Sequence, residues 1–166
     1  MKYKKKYQRI VDELIKKSFP ELIGKKIFIF ETSKLFKWFS GFTFLGINKS
    51  YILINKNIRG LTKKEIKGLL SHELCHVVDL RKKSFICYWL KIIPYQISWL
   101  VGGKIVNEIE NKTDKQAIKR GYAHELYSFE KWREKRTSKK VLAKSYKKGY
   151  LSPEQIKSYA KLIGKW

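Results

Sequence analysis

His72-Glu73-Leu74-Cys75-His76 constrains this chain more than any other stretch, because two histidines four residues apart act together only on a helix. The 3.6-residue period puts both imidazoles on one face a turn apart, where their nitrogens can reach a single Zn²⁺ and Glu73 can address a water on it. Two side chains do not complete such a site. A catalytic zinc takes three protein ligands and keeps one position open, so a second element has to fold back onto this helix and bring the third.

The helix is well marked. Thr62-Lys63-Lys64-Glu65 is a capping box, which predicts a helix starting near Lys63. Behind it Ile66, Leu69, Leu70, Leu74, Val77 and Leu80 recur at spacings of three and four, the pattern of a helix buried along one stripe with the histidines beside it. Gly68, one turn before His72, costs about 1 kcal/mol relative to Ala in a helix interior. It marks either a close approach by a neighbouring backbone or a tolerated weak point. The chain has three histidines, two of them in the motif. The plainer reading is a pair of partly buried histidines bonded to backbone.

The third ligand is sought downstream. Residues 107–118 read as a second helix on which Glu110 and Asp114 lie four apart and share a face. One carboxylate can bind the metal while the other accepts the remaining N–H of a ligating histidine. Either Glu110 or Asp114 can take the ligand role, Glu110 being the first candidate; Glu108 faces Lys112 at its i+4 position. Ala117, Ile118 and Gly121 leave room for the two helices to lie close.

In this order, His-Glu-x-x-His and then Glu-x-x-x-Asp on a later helix, the residues resemble the gluzincin metallopeptidases, and Glu110 to Tyr122 is similar to the corresponding helix of HtpX-like small peptidases. The resemblance covers about residues 47–122, without the membrane spans of the HtpX-like enzymes. It implies that Glu73 is the general base, that His72, His76 and Glu110 bind zinc, and that Asp114 supports a histidine. It also implies that the strand before the active helix, Tyr51 to Asn55, lies along the substrate and adds a peptide as an extra strand. A metzincin would have Gly at 79 and a ligand at 82, where this chain has Asp79 and Lys82; a SprT-like protease would place a third histidine soon after His76, yet none precedes His124. Asp79 either orients the His76 ring or bonds to the helix end. Tyr122 and His124 are the nearest candidates for stabilising an oxyanion.

At 166 residues and 43% hydrophobic content the chain suits one domain, with a core over about 25–136 and a basic helical C-terminal extension over 137–166. Cys75 and Cys87 make no disulfide framework, and Cys75 is placed for packing. Thirty-eight Lys and Arg against fourteen acids give a net charge of +24, which points to an anionic partner or to a solvated surface. Without a recognisable nucleic-acid motif, nucleic-acid binding would be driven by the phosphate backbone; an anionic membrane surface serves equally well. Residues 85–101 are apolar and aromatic, but Lys91 and Pro94 interrupt them and they fall short of the roughly 20 residues of a span. They form either an interfacial hairpin or an insertion covering the site. With no signal peptide, the expected location is the cytoplasm or its membrane surface.

Elsewhere, Tyr7, Ile10, Val11, Leu14 and Ile15 mark a first helix, Lys26 to Phe30 a strand, and Phe42 to Leu45 with Tyr51 to Asn55 a hairpin turning near Asn48 to Ser50. Residues 123–136 read as a helix, and Ser152-Pro153 starts a closing one that runs to about Ile163. The expected fold is α+β and zincin-like: a small antiparallel sheet packed on helices, two of which hold the metal. The expected activity is zinc-dependent hydrolysis of a peptide or unfolded protein; the alternative is a basic nucleic-acid- or membrane-binding protein with a structural zinc.

Overall fold

The structure, a computed structural model, describes residues 2–3, 5–33, 40–46, 48–58, 60–82 and 104–166. Along the chain run β1 (Lys2–Tyr3), α1 (Lys5–Ser18), β2 (Lys26–Thr32), β3 (Gly41–Gly46), β4 (Lys49–Asn55), α2 (Lys63–Arg81), α3 (Lys104–Lys119), α4 (Ala123–Arg136), α5 (Lys139–Lys147) and α6 (Pro153–Leu162). The fold is α+β. The segment 85–101, with Cys87, lies outside the described residues.

The sheet order is β1-β2-β4-β3. β3 and β4 form the expected antiparallel hairpin, with Asn48 at φ 57° in its turn, one of the few non-glycine residues that accept that conformation. β2 and β4, however, run parallel, from Lys26 opposite Lys49 to Thr32 opposite Asn55, so the sheet is mixed and the expectation of an antiparallel one is corrected. The cause is topological. The chain leaves β2, places β3 on the far side, and returns through the hairpin so that β4 slots between them in the direction of β2. Residue alternation fixes which face of a strand is buried but carries no information about direction.

That alternation does fix the faces. Ile27, Ile29, Ile52 and Ile54 are buried in the core. Phe28, Phe30, Phe44 and Tyr51 alternate with them and are half-buried, Phe44 and Tyr51 stacking at 4.9 Å between ring centroids.

α2 is the centre of the packing. Its start carries the predicted box: the Glu65 N–H donates to Thr62 Oγ1 at 3.3 Å, and the Thr62 N–H donates to Glu65 Oε2 at 2.6 Å. Leu70 and Leu74 are fully buried among α1 residues such as Val11, the sheet isoleucines and Leu126 of α4. At Gly68 the backbone of α4 crosses so closely that any side chain would collide with the Glu125 carbonyl, so the glycine marks a close approach. Asp79, read from sequence as orienting a ring or closing the helix end, instead accepts from Lys112 Nζ at 2.9 Å and from Gln116 Nε2 at 3.3 Å, tying α2 to α3. The segment 137–166 supplies Leu151, Ile156 and Ala160 to the same core and so is no appendage to it. Among the described residues no helix is long and apolar enough to cross a membrane.

Candidate metal centre

Two turns of α2 face two turns of α3, and the side chains between them are polar. His72 and His76 come from α2, and Glu110, Thr113 and Asp114 from α3. The two Nε2 atoms lie 3.1 Å apart, and Glu110 Oε2 is 3.3 Å from that of His72 and 3.4 Å from that of His76. This group can hold a metal ion. Ligand atoms around a tetrahedral ion with bonds of about 2.0–2.1 Å lie about 3.3 Å apart, so the triangle has the size of one face of a zinc tetrahedron.

Both rings are held from behind. His72 Nδ1 is 2.7 Å from Asp114 Oδ1, and since a carboxylate only accepts, the ring N–H is on Nδ1. The second Asp114 oxygen accepts the Leu151 N–H at 2.8 Å, which fixes the carboxylate in turn. His76 Nδ1 is 3.4 Å from Thr113 Oγ1. The Thr113 proton goes to the Ile109 carbonyl at 2.8 Å, so its oxygen is left to accept from His76. Each imidazole therefore donates through Nδ1 and presents Nε2 to Glu110, the arrangement that orients metal-binding histidines.

The electrostatics agree with a cation site. Burial opposes a charge on His72, but Asp114 and then Glu110 more than offset it and hold its pKa well above the ordinary histidine value. Burial likewise opposes the charge of Glu110, yet His76 and His72 hold its carboxyl far below the usual range. Without a metal, a proton shared in this triangle takes the place of a cation.

Glu73 points away from the triangle's plane toward the sheet. Its Oε2 accepts from Thr43 Oγ1 of β3 at 2.7 Å, and its Oε1 lies over Gly41, where a side chain would displace it. Glu73 is buried, yet with His72 it lines a cavity of about 490 Å³, within the range of small-ligand sites. The ring of Tyr150, just after the turn that ends α5, stacks on His72 at 5.7 Å between centroids. α4 and α5 also line this cavity, through residues that include Glu130, Arg133, Lys140 and Lys144.

Of the residues chosen from sequence, His72, Glu73, His76, Glu110 and Asp114 come together. Two do not. The Tyr122 hydroxyl donates to Ser18 Oγ at 2.9 Å in the core contact with Phe19, and the exposed His124 rests against Trp166. Neither is among the residues lining the cavity, and one position past the α3 turn points Tyr122 toward α1. One correction concerns the strand. β4, Tyr51 to Asn55 included, is paired on both sides and has no free edge for a peptide; the edge strands among the described residues are β1 and β3. Cys75 is fully buried with its thiol pushed up to about 12, mainly by burial, so it packs and does not react.

Sequence reasoning missed Thr113, Thr43 and Tyr150. Thr113 carried a signal, lying three residues after Glu110 on the same helix face. Thr43 and Tyr150 carried none, since only the folded chain brings them to α2. No family model matches this chain, and neither a curated protein nor a solved structure matches it.

Proposed function

We propose that this chain is a zinc-dependent metalloendopeptidase with Glu73 as general base. The observation that carries the reading is the triangle of two imidazole nitrogens and one carboxylate oxygen with sides of 3.1–3.4 Å, beside a second carboxylate on a cavity wall. Only three protein ligands converge there among the described residues, as in catalytic zinc sites and unlike the four of structural ones. When bound, zinc polarises a carbonyl and lowers the pKa of a water.

The remaining steps belong to the chain. Asp114 and Thr113 keep both Nε2 lone pairs on the metal side. Thr43 anchors one Glu73 oxygen, leaving the other to take a proton from the attacking water and return it to the leaving amine. β3 begins at Gly41, against that carboxylate, so an extended substrate pairing with its edge passes Glu73.

The test is zinc content paired with cleavage of an unfolded protein. Wild type is expected to hold near-stoichiometric zinc and to cleave; Glu73→Gln to hold zinc without cleaving; Glu110→Ala to lose both. Cleavage by Glu73→Gln at the wild-type rate would refute the role of the base.

A further inference from the structure

The cavity that reaches His72 and Glu73 has one wall of a different character. α5 presents Lys140, Val141, Lys144 and Ser145 to it and its C-cap adds Lys148, the spacing of a single helix face. Three lysines thus recur a turn apart along one side of a concave space, where like charges add to one positive field. Each acid in the same cavity has a partner, and one buried oxygen of Glu130 has none. Asp114 accepts from His72 and the Leu151 N–H, Glu73 from Thr43, and Glu130 from Arg133 at 2.7 Å. Arg133 spends its other nitrogen on Ser145, also at 2.7 Å. No described carboxylate pairs with Lys140 or Lys144.

We propose that the α5 face of this cavity is a carboxylate subsite, selecting peptides that carry an acidic side chain or a free C-terminus near the bond being cut. The inference rests on the peptidase reading for its consequence but not for its binding step. A carboxylate matches the site because the stripe and Glu73 line the same cavity, so a bound chain can present the anion to α5 and its backbone to Glu73. Lysines, with compact and mobile ammonium heads, fit a carboxylate that varies in position from substrate to substrate.

Two pairs of synthetic peptides test it. One pair differs by Glu against Gln at an internal position, the other by a free against an amidated C-terminus. Binding is measured calorimetrically on zinc-loaded Glu73→Gln, and cleavage on wild type. The acidic member of at least one pair is expected to bind about tenfold tighter, with the preference falling to within about twofold in Lys140→Gln/Lys144→Gln and shrinking in high salt. Which pair responds tells a side chain from a terminus. Equal binding within both pairs overturns the subsite, as does a preference that survives the double lysine substitution. Lysine-dependent binding of a single-stranded oligonucleotide without any Glu-over-Gln discrimination assigns the stripe to nucleic acid and overturns it too. If acidic peptides bind through the lysines and wild type cleaves nothing, the subsite stands and the peptidase reading falls. Cleavage of all four peptides alike leaves the peptidase and removes the subsite.

Discussion

The two walls of the cavity are built on opposite principles. The α2–α3 wall is buried, and its polar groups are matched one to one: His72 with Asp114, His76 with Thr113, Glu73 with Thr43. The α4–α5 wall holds one matched pair, Glu130 with Arg133, and beside it exposed lysines at positions 140 and 144. A buried polar group without a partner costs about 1–3 kcal/mol, which favours setting the polar groups of the first wall against one another. An exposed ammonium keeps its water and can wait for a ligand. Rigid chemistry on one side and adaptable recognition on the other is what the proposed hydrolase of flexible chains would require.

The comparison breaks most severely at Glu110. Glu110→Ala is expected to weaken zinc binding by more than about 100-fold, beyond the 10–100-fold typical when a partner behind the ligands is lost, and to abolish cleavage. Metal titration against a chromogenic chelator measures it; retention of full zinc affinity would remove Glu110 from the ligand set. Glu73→Gln should separate chemistry from metal binding on the same wall, costing about 10²–10⁴-fold in rate with zinc retained. Asp114→Asn should cost about 10–100-fold in zinc affinity, because the amide no longer fixes the His72 tautomer.

Gly68→Ala probes the distance between the walls. With the Glu125 carbonyl against that position, the added methyl pushes α4 from α2 and is expected to destabilise the fold by about 1–3 kcal/mol, read as a lower Tm. An unchanged Tm would mean that the helices separate freely.

The smallest effect is a change of sign with pH. In metal-free protein the raised pKa of His72 adds stability that is full below the ordinary histidine value of about 6.5 and is lost as pH rises through the elevated folded value. Glu110 acts in the other sense: its depressed pKa adds stability present above the ordinary carboxyl range and lost as pH falls through the folded value. Between those limits metal-free protein should weaken toward alkaline pH. Zinc takes the place of the proton, so zinc-loaded protein should instead gain stability as pH rises through about 6 to 7. Thermal melts with chelator and with zinc across that window should show opposite slopes; parallel slopes would place the metal elsewhere.

Much of the buried wall was legible before any coordinates. The capping box at Thr62, the stripe on α2, and the Glu110–Asp114 spacing all express relations within one helix turn, where sequence distance and spatial distance agree. The errors share the opposite property. Asp79 looked toward its own helix end because its partners, Lys112 and Gln116, lie on another helix. Tyr122 was close to the ligands in sequence but turns toward Ser18. β4 preceded the active helix, and only the parallel pairing with β2 showed that it is interior.

By itself the sequence settled which residues share a helix face, and hence that two imidazoles and two carboxylates could be offered as sets, because helical periodicity is a local property of the backbone. The tertiary structure alone decided that α3 meets α2 at the histidines, that Thr43 holds Glu73 from thirty positions away, and that Lys140 and Lys144 look into the cavity. Those contacts depend on how whole elements pack, and packing responds to the shape and burial of every side chain at once, which no single spacing records.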